Sequence, residues 1–192
     1  MAVAYLNPDG ASGLGGWNTS YSQTASHLSQ GETSNTWRNN FLDQGKATFT
    51  LSDFDNTGVA SITKIENVLV CFLDARGGTS NVTCRIMSGI SQLYVETFAN
   101  PTTGGSYATF TGTARTTSDG SSAWTDSDLD GLGLQLICTA GPHVHIIQQY
   151  FIKVTYEEIS GYSHDVSGVG SSNISKVNTV ATANIAKIIG VD

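Results

Sequence analysis

The stretch that decides the fold is His145–Glu157, HIIQQYFIKVTYE, near the end of the chain. Residues of odd number from Ile147 to Lys153 fall on one side, and residues of even number from Ile146 to Tyr156 fall on the other. Successive side chains of a β-strand point to opposite faces of a sheet. A period of two over this length therefore predicts a long strand with one face on a core.

Further strand-like runs precede this stretch, with turn residues between them. In chain order they are Val3–Leu6, Ala47–Leu51, Ile62–Ala75, Asn81–Ser88, Gln92–Ala99, Tyr107–Ala114 and Gly133–Thr139. Together with the first stretch they make about eight strands, and no 3.6-residue apolar stripe of ten or more residues interrupts them. We predict an all-β fold, an antiparallel β-sandwich that is jelly-roll-like and carries a short C-terminal arm.

The composition of the 192 residues suits one such domain with an appendage. Only 13% of the residues are charged, and the net charge of −7 argues against nucleic-acid binding, which needs a basic face. An acidic chain without an apolar run of about 18 residues is also unsuited to membranes. No signal peptide is apparent, so we expect folding in a reducing cytoplasm, with Cys71, Cys84 and Cys138 as buried free thiols rather than disulfides.

The chain divides into three predicted parts. Residues 1–159 form the sandwich, 160–169 have the composition of a linker, and 170–192 hold two 11-residue repeats, GSSNISKVNTV and ATANIAKIIGV. Below about three units a repeat array rarely buries its own apolar side chains. We therefore predict an assembly arm that contacts a neighbouring molecule. Its predicted interface residues are Ile174, Val177, Val180, Ile185, Ile188 and Val191.

Two conformations fit this arm. One stripe of an α-helix would contain Ile174, Val177, Ala181, Ile185 and Ile188. An 11-residue period is typical of a right-handed coiled coil. Its β-branched residues, its asparagines and Gly190 disfavour a helix, so an extended arm is the alternative. We predict one or two short helical turns.

The carboxylates of Asp126, Asp128 and Asp130, followed by a glycine, spell the D-x-D-x-D-G opening of a calcium loop. The twelfth position holds Ile137, where such a loop requires a bidentate glutamate. The alternative is a polar one-turn helix with an aspartate as N-cap, whose apolar neighbours fill the edge of the sandwich. We favour the helix and expect no cofactor, with Ca²⁺ as the hypothesis to test.

Histidines and aromatic residues allow two more hypotheses. His143 and His145 have a spacing that suits zinc, although exposed loop histidines are the favoured interpretation. Trp17, Tyr21 and Trp37 lie in stretches rich in asparagine and could stack on sugar rings, although anchoring of loops is the favoured role.

Catalytic motifs are missing from the sequence. There is no G-x-S-x-G motif, no P-loop and no dinucleotide fingerprint. The acidic residues form no obvious pair of the kind that a glycosidase uses. We expect that the protein is not an enzyme.

Four segments of the chain resemble a known family. They are the N-terminal NPDG and GW-x-x-S segment, the VLV-x-F-x-DAR strand, AWTDSDLDGLGLQL and QQYFIKVTYEE. In these the chain is similar to jelly-roll virion proteins of tailed bacteriophages and related prophages. Tails of the form N-I-x-K-V-N-x-V-A also recur at the ends of phage structural proteins. The second repeat departs from that form, with Ile-Ile-Gly where Val-Asn-Gly is usual.

The resemblance implies a non-enzymatic virion component, and it carries over no catalytic residue. We expect a capsid decoration or cement protein at the virion surface, assembled in the cytoplasm of the host bacterium. Its expected partners are further copies of itself, with a trimer favoured, and the major capsid protein or other virion proteins. The alternative is a receptor-binding, glycan-binding module of a tail or head fibre, and a glycan-active enzyme is a more distant one.

Overall fold

A computed structural model of the chain describes residues 1–15, 25–31, 37–38, 45–74, 81–99, 106–138, 144–159, 176–177 and 180–181. Ten strands in this part of the chain form two five-stranded sheets. Sheet A contains β1 (Ala2–Leu6), β3 (Trp37–Arg38), β5 (Val59–Asp74), β8 (Ala108–Thr111) and β10 (Val144–Glu158). Sheet B contains β2 (Pro8–Gly15), β4 (Lys46–Leu51), β6 (Asn81–Ser88), β7 (Ser91–Ala99) and β9 (Leu132–Cys138). A 3₁₀ helix spans Ala25–Leu28, and α1 spans Asp126–Asp130.

The strand order is that of a jelly roll. Sheet A has the order β1-β10-β5-β8, with β3 paired further along β10, and sheet B has the order β2-β4-β9-β6-β7. All of these pairings are antiparallel. Without β2 and β3, eight strands form two four-stranded sheets between which the chain crosses repeatedly, as in a jelly roll. The predicted all-β, jelly-roll-like sandwich is confirmed.

Sequence patterning predicts loops where the structure has β2 and β3. The sequence of β2, PDGASGLG, contains a proline and three glycines and does not alternate. It forms a strand at the edge of sheet B, where it pairs with β4 through two register irregularities. Proline and glycine are tolerated in edge strands because part of the backbone there needs no ladder partner.

The core lies between the two sheets. The rings of Phe49 in sheet B and Tyr150 in sheet A meet edge to face, with centroids 6.2 Å apart. Edge-to-face packing is a favourable arrangement of aromatic rings beyond the gain from burial alone. The largest fully buried side chains are those of Leu6, Leu28, Phe49, Ile65, Leu69, Leu129, Leu134, Leu136, Ile146, Ile147 and Tyr150.

A β-bulge shifts the alternation of β10. The register with β5 changes by one residue between Ile147 and Gln149. Consequently Ile147 belongs to the core cluster together with Tyr150, whereas Ile146 lies outside that cluster. Strict alternation would place Ile146 on the same face as Tyr150 and Ile147 on the opposite face, which is the reverse of the structure. The extra residue of a bulge exchanges the two faces of the strand beyond it.

The three cysteines are buried and free, as predicted. Cys71 lies on β5 of sheet A and Cys84 on β6 of sheet B, so these two thiols belong to opposite sheets rather than to one hairpin. Burial raises the pKa of the Cys71 thiol to about 12, and it raises the pKa values of Cys84 and Cys138 well above their usual range. All three are therefore protonated at neutral pH and behave as small hydrophobic side chains.

The last strand of the two sheets ends at Glu158. The backbone N–H of Ile159 then donates a 2.7 Å hydrogen bond to the carbonyl oxygen of Gly58. Within the described part of the chain, no helix combines the length and the apolar composition that crossing a membrane requires.

Candidate functional site

The C-terminal arm is described at four residues, which form a small hairpin. β11 (Lys176–Val177) pairs antiparallel with β12 (Val180–Ala181), and Val177 stands opposite Val180. The backbone is extended there, so the prediction of helical turns is wrong for these residues. Valine is β-branched, and its restricted side chain favours a strand over a helix.

This hairpin forms a two-stranded sheet of its own, separate from sheets A and B. An isolated two-stranded hairpin is at best marginally stable in water. The hairpin therefore gains stability from any surface that covers it. The remaining predicted interface residues, Ile174, Ile185, Ile188 and Val191, lie outside the described residues.

Helix α1 begins with a reciprocal pair of hydrogen bonds. The Thr125 hydroxyl accepts a 3.2 Å hydrogen bond from the backbone N–H of Asp128, and the Asp128 carboxylate accepts a 2.9 Å bond from the N–H of Thr125. This is a capping box, which satisfies two backbone donors at the start of a helix. The predicted one-turn helix is confirmed, with its neighbours Trp124, Leu129 and Leu132 buried. Its N-cap is the threonine, whereas an aspartate was predicted.

The three carboxylates of α1 have different hydrogen-bond partners. Asp126 accepts a 2.6 Å hydrogen bond from the side-chain amide of Asn56, and Asp130 accepts a 2.9 Å bond from the backbone N–H of Phe54. The third carboxylate, that of Asp128, closes the capping box. No group of three or more His, Cys, Asp or Glu side chains in the described part of the chain could hold a metal ion. The geometry therefore gives the calcium hypothesis no support.

Two clefts share Trp124 and Thr125. The larger one, of about 500 Å³, is the serine cleft, lined by Ser88, Leu93, Ser118, Asp119, Ser122, Ala123, Trp124, Thr125, Ser127, Asp128, Gly131 and Leu132. The smaller one, of about 250 Å³, is the asparagine cleft, lined by Phe54, Asn56, Val59, Ala60, Ser61, Ile62, Trp124, Thr125 and Asp126. Hydroxyl groups and carboxylates dominate the polar lining of the serine cleft.

Asp119 organises one wall of the serine cleft. Its carboxylate accepts hydrogen bonds from the backbone N–H groups of Ser122, at 2.6 Å, and Ser121, at 2.8 Å. Both serine hydroxyls also donate to it, at 3.1 Å and 3.0 Å respectively. These bonds hold the pKa of Asp119 well below its usual range, and the bond from the backbone N–H of Ser122 contributes most to that shift. The carboxylate is therefore ionised at neutral pH.

Trp124 forms the apolar part of the same cleft. Its ring is almost fully buried, and its indole Nε1 donates a 2.9 Å hydrogen bond to the carbonyl oxygen of Arg115. The ring is thus fixed in place rather than free to stack on a ligand from both sides. Among the described lining residues there is no lysine or arginine, so the cleft suits a neutral polyol better than an anion.

Three carboxylates have lowered pKa values, which do not suit a general acid. Hydrogen bonds from Thr57 lower the pKa of Asp55, and the hydrogen bond from Asn56 lowers that of Asp126. The pKa of Asp119 is lowered as well. A glycosidase acid needs the opposite shift, because it must hold a proton near neutral pH.

The other predicted site residues are placed as follows. Trp17, Tyr21 and His143 lie outside the described residues, and only the backbone of Trp37 is described, in β3 opposite Ile147. His145 is fully buried in β10, so its prediction as an exposed loop residue is wrong. The reason is that β10 begins at Val144, directly after the turn-like residues.

One cluster that sequence reasoning missed closes the side of the sandwich beside β7. Arg115 pairs with Glu96 at 2.6 Å, and its guanidinium lies 4.6 Å from the centroid of the Tyr94 ring. The Glu96 carboxylate also accepts a 3.1 Å hydrogen bond from the backbone N–H of Thr113. No sequence signal predicts these contacts, because the paired residues are far apart in the chain.

Comparisons with known proteins are limited to structural likenesses. No protein-family model matches the chain, and no curated protein matches it. The CBM35 carbohydrate-binding module from Paenibacillus barcinonensis is 13% identical, with a TM-score of 0.42 over 82% of this chain and 100% of that one. A CBM4 module is 14% identical, with a TM-score of 0.32 over 72% of this chain and 86% of that one. Both TM-scores are below 0.5, so neither likeness bears on the function of this chain.

Proposed function

We propose that the chain is a non-enzymatic structural protein of a tailed-bacteriophage virion. In this proposal it is a capsid decoration or cement protein that forms homo-oligomers at the virion surface and stabilises the shell through its C-terminal arm. The observation that carries the proposal is the β11–β12 hairpin, which pairs within itself and belongs to neither sheet of the sandwich.

The organisation of the chain supports an assembly role. The core cluster of the sandwich is built from residues between Leu6 and Val154, and the last sheet strand ends at Glu158. The arm then adds apolar repeats that are too few to bury one another. An arm that inserts into a neighbour increases the buried area and the avidity of a small domain without enlarging it. Its partners would be other copies of the chain, with a trimer favoured, and the major capsid protein.

The experiment is to replace the paired valines of the arm in the full chain, as Val177→Ser with Val180→Ser. We expect the variant to fold, to lose its oligomeric state in size-exclusion chromatography with light scattering, and to bind capsids weakly. Lys176→Arg is the matched control in the same hairpin, and it should keep both properties because it removes neither an apolar side chain nor a positive charge. Unchanged oligomers and unchanged capsid binding of the double variant would refute the proposal.

A count of copies per particle separates this role from a fibre role. A decoration protein covers the shell and is present at a far higher copy number than a fibre tip. Quantitative mass spectrometry of purified particles measures this ratio against the major capsid protein. A ratio that corresponds to only a few copies of this chain per particle would contradict the decoration role.

A second function, glycan binding by a tail or head fibre, is favoured by the serine cleft. Its hydroxyl groups and ionised Asp119 can bond with sugar hydroxyls, and Leu93 and Trp124 supply an apolar floor. Ser127→Trp would fill this cleft, whereas Ser61→Trp would fill the asparagine cleft and serves as the control. Loss of binding on a glycan array in the first variant alone, together with lost host adsorption by particles of normal stability, would favour this function over decoration.

A further inference from the structure

We infer that the C-terminal arm of one copy adds as an extra strand to the free edge of β7 in a second copy. The inference rests on the proposed assembly function and names the surface that receives the arm. It follows from the geometry of β7, from the extended conformation of the arm and from their charges.

Strand β7 is the last strand of sheet B. It pairs with β6 from Ser91 to Ala99, and in the described part of the chain no strand pairs with its other edge. Nine residues of strand extend over about 30 Å. An edge of this kind presents a row of backbone N–H and C=O groups, which is a template for adding a strand.

The other sheet edges are poorer templates. β1 has five residues and β8 has four, whereas β2 contains Pro8 and two register irregularities. Proline, bulges, short length and lysine are the usual devices that protect an edge from pairing. β7, with the sequence SQLYVETFA, contains neither proline nor lysine. Its register with β6 has one irregularity, between Gln92 and Tyr94, and is regular over the six residues from Tyr94 to Ala99.

Glu96 is the charged residue of β7, and it is neutralised on the inner side of the strand. Arg115 pairs with it at 2.6 Å, and the backbone N–H of Thr113 donates to the same carboxylate oxygen. An inward charge protects an edge only when pairing would leave that charge without a partner. On the outer face, by contrast, Val95 is 43% exposed. The incoming strand would cover it.

The arm is extended where it is described, and its net charge is opposite to that of the domain. Residues 176–177 and 180–181 are extended, and two of the four are valines. The arm at 170–192 carries two lysines and one aspartate, so its net charge is +1, and the remaining 169 residues carry −8. A positively charged arm and an acidic domain are electrostatically complementary.

The length of the connection allows the arm to reach a second copy. Seventeen steps of chain separate Ile159 from Lys176, and a fully extended chain spans about 3.3–3.6 Å per residue. The maximum reach is therefore about 55–60 Å, whereas a domain of this size has a radius of gyration of about 15 Å. The arm can thus pass beyond its own sandwich.

The test compares two valines of equal exposure on two different edges. Val95 on β7 and Val3 on β1 are both 43% exposed, so Val95→Lys and Val3→Lys are matched substitutions that leave the core intact. Lysine on an edge strand opposes pairing. In the full chain, we expect Val95→Lys to raise the dissociation constant of the oligomer about tenfold or more, and Val3→Lys to leave it unchanged. Light scattering across a dilution series measures both constants.

The result that would overturn the inference is an unchanged constant for Val95→Lys while the Val177→Ser and Val180→Ser double variant dissociates. That pattern would retain the assembly role of the arm and reject β7 as its receptor. If the double variant also stays assembled, the proposed function itself fails. Hydrogen exchange of the full chain gives a second readout: we expect protection of amides in Ser91–Ala99 to fall on dilution. Protection that does not depend on concentration would indicate pairing within one copy and would overturn the inference.

Discussion

The hydroxyl group of Tyr150 in sheet A lies 3.3 Å from the carbonyl oxygen of Gln135 in sheet B. The same hydroxyl lies 3.3 Å from the carbonyl oxygen of Arg85, so one side chain bonds two neighbouring strands of the opposite sheet. Burial raises the pKa of Tyr150 well above its usual range, which keeps the hydroxyl protonated as a donor. This polar contact links the two sheets across the core.

Tyr150→Phe should therefore destabilise the sandwich. We expect the free energy of unfolding to fall by about 1–2 kcal/mol, because the substitution removes a buried hydrogen bond and keeps the ring. Urea unfolding followed by fluorescence measures the change. Tyr5→Phe, at a side chain that is 39% exposed, is the control and should change the stability by less than about 0.5 kcal/mol. Equal stability of both variants would show that the Tyr150 hydroxyl contributes nothing.

The capping box predicts a second loss of stability. Thr125→Ala removes the acceptor for the backbone N–H of Asp128 and should cost about 1 kcal/mol. Thr125→Ser keeps the hydroxyl and should retain most of the stability. Ser127→Ala in the same helix, at an exposed position, serves as the neutral control. Thermal unfolding monitored by circular dichroism compares the four proteins, and a Thr125→Ala midpoint equal to that of the control would contradict the role of the cap.

The buried thiols predict a loss of stability at alkaline pH. The pKa of Cys71 rises from 9.0 to about 12 on burial, so folding favours its protonated form. The resulting stabilisation is complete below pH 9 and is lost as the pH rises from 9 towards 12. Urea midpoints measured across this range should decrease. The native protein should also resist labelling by a thiol reagent at neutral pH, and rapid labelling of all three cysteines without unfolding would disprove the prediction.

The lowered pKa of Asp119 predicts a loss of stability at acid pH. Hydrogen bonds from Ser122 and Ser121 lower its pKa from 3.8, so folding favours the ionised carboxylate. This stabilisation is present above pH 3.8 and is lost as the pH falls below that value. Asp119→Ala should thus have a lower melting temperature than the parent at neutral pH, and the difference should shrink on acidification. A difference that stays constant with pH would show that ionisation of Asp119 is irrelevant.

Sequence patterning predicted the long strands well for a physical reason. A strand such as β4 has one buried face, so Ala47, Phe49 and Leu51 alternate with polar residues and show the period directly. β2 lacks this signal because three of its eight residues are glycines, which have no side chain to alternate. The bulge of β10 also leaves no trace in the pattern, since its position depends on pairing with β5 rather than on local sequence.

The candidate site was less accessible to sequence reasoning. Asp126, Asp128 and Asp130 have the spacing of calcium ligands only when the chain forms a loop. In a helix, Asp126 and Asp130 share one face because they are four residues apart, whereas Asp128 points away from them and closes the capping box. The three carboxylates therefore do not converge on one ion. The capping box decides between these two conformations, and its signal was one threonine three positions before an aspartate. The serine cleft could not be predicted without the fold, because Ser88 and Ser118 are far apart in the sequence and line one cleft only in the folded sandwich.

The pairing of β1 with β10, in which Ala2 stands opposite Tyr156, also governs how the chain folds during synthesis. β10 is the last strand of the sandwich to leave the ribosome, yet it lies between β1 and β5 in sheet A. Until it emerges, β1 and β5 lack their shared partner, and the apolar side chains of sheet B have no completed sheet to cover them. Non-local pairing of this kind makes folding slow and exposes apolar surface in the meantime. Sheet A therefore cannot be completed until residue 158 has left the ribosome.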